Sequence, residues 1–214
     1  MLVNIENTNE ILKYGKREQN KLSRLSSDVL NNAKINYLND MDKIIIDLIT
    51  VFDGPTKNKR FKFKKSNIND IESQIMELIG KLEVSYLNVL NNVFDMQNLF
   101  NEIVIINDEL KRKIYEGNQF IKNKNNDNIE RFKNVLHSLE ISTVVATQMM
   151  TQIQTIITSD KILVRKIKFT IQNTIPIWRA TNDSDLVVKE LIAALNDCQN
   201  NIKEHEKLQL NPQT

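Results

Sequence analysis

The sequence predicts an all-α fold: an elongated helical bundle in which long helices pair antiparallel, as in a coiled coil. Two observations carry this. Four glycines and three prolines in 214 residues are too few turn formers for a many-stranded sheet. Apolar residues also recur at steps of three and four over stretches longer than an ordinary helix, the pattern that keeps one helical face against a partner. The length suits a single all-helical domain, residues 1–214, with enough chain to bury a sizeable core.

The elements follow in order, beginning with two N-terminal helices within residues 11–52. A first amphipathic helix is expected over 9–34, on Leu12, Leu22, Leu25, Val29 and Leu30. A second, over 37–52, carries Met41, Ile44, Ile45, Leu48, Ile49 and Phe52. Asp53, Gly54 and Pro55 are expected to stop it, because Gly accepts the left-handed cap conformation and Pro cannot continue a helix. Residues 53–65 then read as a basic connector.

A long helical hairpin is expected over 66–158. Its first helix is capped by Ser66 or Asn69 and striped by Ile75, Ile79, Leu82, Val89, Met96, Ile103 and Leu110, with Asn107 interrupting the stripe. Over 68–116 it would be a rod of about 70 Å, which needs partners along its length. Polar residues 122–128 read as the turn. The stripe resumes at Ile129, Phe132, Leu136, Leu139, Thr143, Ala146, Met150, Ile153 and Ile157. Ser159 and Asp160 read as a turn and cap before C-terminal helices over 160–207. The first of these carries Leu163, Ile167, Ile171, Ile175 and Trp178 and is kinked or ended by Pro176; the last carries Val188, Leu191, Leu195, Cys198 and Ile202.

Several function classes find no support in these residues. His137 and His205, the two histidines, are far apart and have no metal-ligand spacing around them, so no metal site is expected. Gly15, Gly54, Gly80 and Gly117 are isolated, which removes any glycine-rich phosphate loop and with it a nucleotide cofactor. Cys198 is the single cysteine, at a core-like position with no nearby histidine to activate it, so it reads as a small buried hydrophobe and no catalytic residue is assigned. Twenty-nine cations against 27 anions give no argument for nucleic acid, and no small-molecule substrate is indicated. The opening residues carry no basic-then-apolar signal, and the longest aliphatic run, 103–106, is far too short to span a membrane. The expected location is the cytoplasm, with a peripheral place at the inner face of the membrane as an extension.

Two local charge patterns stand out. Lys57, Asn58, Lys59, Arg60, Phe61, Lys62, Phe63, Lys64 and Lys65 hold six cations, no anion and two phenylalanines, which suits contact with an anionic membrane surface; the plain alternative is a solvated connector. Lys161, Arg165, Lys166 and Lys168 gather near the expected helix start at 160, where free N–H groups favour anions, although solvated charge is the simpler reading. Gln148, Gln152 and Asn173 are amides beside apolar faces and read as interhelical hydrogen-bonding groups that fix register. Trp178 reads as a core anchor at a helix end.

One segment has a recognisable pattern. Gln148 and Gln152-Ile153, then Leu163-Val164 and Lys166-Ile167, then Asn173, Thr174, Ile175, Pro176 and Trp178 resemble the close of the TelA family of bacterial toxic-anion (tellurite) resistance proteins. Tyr14-Gly15, Gln19, Leu22 and Leu25 extend the resemblance, so that it covers most of residues 11–180. Arg165 stands where the family usually has an acidic residue and Gln154 where it has Arg, and the family usually continues beyond residue 180 for longer than this chain does. The resemblance implies a role in toxic-anion or cell-envelope stress resistance. Stripes without chemistry point to an accessory or scaffold protein, not an enzyme, acting through helix faces on a protein partner or on itself. Tellurite reduction takes up several electrons, and a lone thiol does not supply them.

Overall fold

A computed structural model of the chain describes residues 7–33, 36–57, 65–122, 127–181 and 185–210. Every regular element among them is helical. In chain order they are α1 (Thr8–Lys13), α2 (Lys16–Ala33), α3 (Asn36–Lys57), α4 (Lys65–Ile121), α5 (Asp127–Phe169), a π-helical turn (Thr170–Thr174), α6 (Ile175–Ala180) and α7 (Asp185–Leu210). The all-α fold expected from composition and periodicity is the fold observed. Among the described residues, no helix is long and apolar enough to cross a membrane.

The chain divides into two compact units, each assembled from separate stretches because α4 and α5 contribute to both. Unit 1 comprises Met1–Ala33 and Asp95–Thr155. Here the chain between α1 and α2 turns at Gly15, whose φ of +73° is the left-handed conformation that a Cβ disfavours. The first helix expected over 9–34 is therefore two. The turn exchanges the faces of the first segment: Ile11 is fully buried, whereas Leu12 is exposed, as is Leu30 at the far end of α2. The close approach explains the glycine as well, since a Cβ at Gly15 would lie 2.5 Å from Leu139 Cδ2. On α4, Gly117 likewise lets the side chain of Leu136 pack against bare backbone; a Cβ there would meet Leu136 Cδ2 at 2.4 Å. Phe120 and Phe132 meet edge to face at 6.3 Å one turn on, so α4 and α5 run antiparallel in this unit. Leu22, Leu25, Val29, Ile103, Leu110, Phe132, Leu139 and Ile153 form its interior, each contributing about 1.5–3 kcal/mol on burial.

Unit 2 comprises Lys34–Phe94 and Ile156–Thr214. Its core draws on five helices: Met41, Ile45 and Leu48 of α3, Ile75, Leu82 and Val89 of α4, Leu163 and Ile167 of α5, Ile175 of α6, and Leu191, Leu195 and Ile202 of α7. α3 does not stop at Asp53. It continues through Gly54 and Pro55 to Lys57, because the fixed φ of proline is itself helical and its missing N–H forfeits one bond in the last turn.

The expected break at Ser159 and Asp160 is absent, and α5 runs on to Phe169. Disruption comes instead at the π-turn, where the Ile175 N–H reaches back five residues to the Thr170 carbonyl. Pro176 is the cause: its ring crowds the carbonyl four residues earlier, and one extra residue in the turn relieves that contact. The helix then proceeds to Ala180, one turn beyond the expected stop.

Candidate functional site

Among the described residues, three groupings go beyond apolar packing. The first, in unit 1, fastens the α1–α2 turn. Tyr14 Oη donates to the Lys113 carbonyl at 2.7 Å and its ring packs edge to face on Phe132. Lys113 Nζ lies 5.0 Å from the centre of that ring and 3.9 Å from the carboxylate of Glu18, which is itself buried. Burial and the nearby Glu116 carboxylate raise the Tyr14 hydroxyl above its ordinary value. Gln19 Nε2 donates to Ser138 Oγ at 2.9 Å and to Ser142 Oγ at 3.0 Å. Tyr14, Gly15, Gln19, Leu22 and Leu25 thus have a structural employment: they seat the N-terminal helices on α4 and α5.

The second grouping, in unit 2, is a buried polar cluster. Asn92 Nδ2 of α4 donates to Asp160 Oδ2 at 3.0 Å, and His205 Nε2 of α7 lies 2.8 Å from Asp160 Oδ1. Asp160 and His205 are 0% and 1% exposed. One carboxylate oxygen thus has the Asn92 amide as donor and the other lies against the His205 ring, so the cluster brings three helices together at one level of the core. At that burial the cluster lies within the packed interior of the unit. Sequence reading assigned Asp160 to a cap and found no role for His205. The signal was present: Ile153, Ile157, Asp160, Val164 and Ile167 continue one three-four stripe, and His205 extends that of Leu195, Cys198 and Ile202. Because α5 has no N-terminus at 160, Lys161, Arg165, Lys166 and Lys168 flank no free N–H groups, and the anion site imagined there has no basis. Lys166 pairs instead with Asp197 of α7 at 2.8 Å, a contact exposed enough to be worth about 0–1 kcal/mol.

Around the π-turn, Thr170 Oγ1 donates to the Lys166 carbonyl and lies 4.0 Å from Cys198 Sγ. Burial pushes the Cys198 thiol up to about 11, so it remains protonated and inert near neutrality. Trp178 stands edge to face on Phe52 at 5.0 Å and packs on the core. Asn173 does not bridge helices; its amide donates to the Phe169 carbonyl of its own helix. Thr174 closes the π-turn and Pro176 follows it. Of the basic stretch, Lys57 ends α3 and Lys65 begins α4, while Lys59, Arg60, Phe61, Lys62, Phe63 and Lys64 lie outside the described residues.

The third grouping is the outer face of α5 in unit 1. Gln148 and Gln152 are exposed on it, not buried between helices as their apolar flanks suggested. Ile141, Val144 and Val145 are exposed beside them at 53%, 57% and 40%. Thr147, Thr151 and Thr155 donate their hydroxyls back to the carbonyls of Thr143, Thr147 and Thr151, leaving mainly methyl groups for the outside. Nineteen consecutive residues between Glu140 and Asp160 carry no charge, where a chain that is 26% charged would place about five. A helical face that meets water without a single charge has the composition of an interface core.

The described residues form an all-helical protein with two polar clusters between helices and an uncharged exposed face on α5. Residues 106–202 match the model of the family described as toxic anion resistance protein (TelA). A TelA-like protein of Staphylococcus saprophyticus is 22% identical to the chain, covering 79% of it and 56% of the relative. Over residues 106–202 the chain is TelA-like. It spans little more than half the length of that curated relative. No solved structure matches the chain.

Proposed function

We propose that this protein is a non-enzymatic accessory or scaffold component of a toxic-anion or envelope-stress resistance system, acting by protein contact through the outer face of α5. The observation that carries this reading is the uncharged exposed stripe of Ile141, Val144, Gln148, Thr151, Gln152 and Thr155. Gln148 and Gln152 belong to the family-like pattern, yet no hydrogen bond of Gln148 is found among the described residues, and both amides face outward. An exposed amide with no hydrogen bond in the fold, as at Gln148, is open to a partner. The inert Cys198 and the enclosed Asp160–His205 pair further disfavour chemistry as the role.

The test is complementation. Cells lacking the protein regain tellurite resistance with the natural chain and not with Thr151→Arg, at equal protein levels, whereas the purified protein does not turn over tellurite. Full resistance from Thr151→Arg removes the face from the function, and repeated turnover by pure protein makes it an enzyme. A second reading, peripheral attachment to anionic lipid, rests on composition: six cations and two phenylalanines within residues 57–65.

A further inference from the structure

The last turns of α5 and the helix that follows carry an outward face of a different kind, within unit 2. Between Asp160 and Asp183, twenty-two consecutive residues hold five cations and no anion, where 27 acids in 214 residues would place about three. Without a helix terminus among them, these cations form no pocket for a small anion. They do form a surface. Lys161, Arg165 and Lys168 are exposed, and among the described residues none of the three has a carboxylate partner; Asp197 of α7 is taken by Lys166. Ile162, Phe169 and Ile177 stand exposed in the same stretch at 38%, 61% and 51%.

The backbone sets these three apolar side chains in one line. Phe169 follows Ile162 by two helical turns, so the two share a face to within about 20°. In an unbroken α-helix the longer step from Phe169 to Ile177 would turn the isoleucine away by about 80°. The π-turn at Thr170–Thr174 takes up one extra residue and brings it back into line. Arg165 lies on the same face between Ile162 and Phe169, and Lys161 and Lys168 border it on one side. The result is an apolar line about 22 Å long with cations within and beside it.

The chemistry selects among anionic occupants. A nucleic-acid backbone receives cations but offers no apolar layer beside them for Phe169 and Ile177. An acidic protein would have to place carboxylates opposite three separate cations and an apolar ridge between them. The interface of an anionic bilayer supplies both at once, headgroup charge for the cations and hydrocarbon a few ångströms below for the apolar line. We infer that the line of Ile162, Phe169 and Ile177, with Lys161, Arg165 and Lys168, is a surface that binds anionic lipid bilayers, with the end of α5 and α6 lying along the headgroup plane. The inference goes beyond the protein-contact reading. It shares lipid chemistry with the reading drawn from residues 57–65 but uses none of those residues.

Cosedimentation of the full chain with vesicles of phosphatidylcholine, with and without phosphatidylglycerol, tests this. The chain should sediment with the anionic vesicles only, and less as salt rises. Each cation near such a surface is worth about fivefold in binding, so Lys161→Glu, Arg165→Glu and Lys168→Glu together should weaken it at least about 100-fold. Phe169→Ser, which leaves the charge unchanged, should weaken it about tenfold. All four positions are exposed, so helicity by circular dichroism should not change. A polarity-sensitive fluorophore on Ile177→Cys should shift to the blue with anionic vesicles and not with neutral ones; the buried Cys198 thiol, pushed up to about 11, does not take the label. The inference is overturned by a chain that binds neither vesicle, by binding that the triple Glu variant retains, or by a fluorophore that stays in water while the protein sediments. Binding lost on changing Lys59, Arg60, Lys62 and Lys64 to Gln but kept by the triple Glu variant also overturns it, and leaves the reading of residues 57–65 standing. Tighter binding of the same face to duplex RNA or polyglutamate than to the anionic vesicles overturns it in favour of a polymer partner.

Discussion

His205→Leu is the sharpest perturbation of unit 2. Leucine has nearly the volume of histidine, so little cavity opens, but Asp160 keeps only the Asn92 amide for a carboxylate that is 0% exposed. Where such a contact is an ionised pair, removing one partner costs about 3–5 kcal/mol. In a unit of about 120 residues that corresponds to a fall in Tm of roughly 10–20 °C. Trp178, the single tryptophan, sits in unit 2 on Phe52, so its fluorescence during heating or urea titration reads this unit. Asp160→Leu combined with His205→Leu should recover a large part of the loss, because no charge is then stranded, leaving about 1–3 kcal/mol for the orphaned Asn92 amide. A loss under about 1 kcal/mol for His205→Leu, or a double variant as unstable as the two single losses added together, would refute the buried-pair argument.

Further expectations follow from single residues. The Cys198 thiol sits at about 11 against an ordinary 9.0, so the folded state holds its proton longer than the unfolded state; this contribution is intact below pH 9 and is lost as pH rises to about 11, at most about 3 kcal/mol, and Cys198→Ser should flatten that part of the stability profile. The same thiol should resist alkylation until urea unfolds unit 2. Gly15→Ala should destabilise by at least about 1 kcal/mol, since it combines a positive φ with a clash on Leu139, whereas Gly80→Ala, a helical site with open space around it, should stabilise by about 0.5–1 kcal/mol; thermal denaturation compares them. If residues 57–65 contact lipid, changing Lys59, Arg60, Lys62 and Lys64 to Gln should reduce sedimentation with anionic vesicles by about 1 kcal/mol per charge, with an effect that fades in salt, and equal sedimentation by both proteins would end that reading.

Much of the fold was legible because burial enforces period. The stripes through Ile75 to Leu110, Ile129 to Ile157 and Val188 to Ile202 are largely the residues found inside. Local punctuation was less reliable. Gly54-Pro55 and Ser159-Asp160 both look like helix stops, yet packing carries the helix through each, and Tyr14-Gly15, quoted only as a motif, is where the chain turns. Polar residues on a stripe were the harder problem. Asp160 and His205 occupy core positions that period alone marks as buried, but their pairing depends on two helices meeting, and no spacing within one helix encodes that. Gln148 and Gln152 failed in the opposite sense: apolar neighbours suggested burial, whereas both lie exposed within the run without charge.

The central claim is that the outer face of α5 meets protein in the cell. A photoreactive amino acid at Gln148 of the full-length chain, irradiated in living cells, should yield a discrete protein adduct, and the same group at Glu130 should yield none. Equal adducts at both positions, or none at Gln148 in cells whose resistance the labelled chain fully restores, would contradict it.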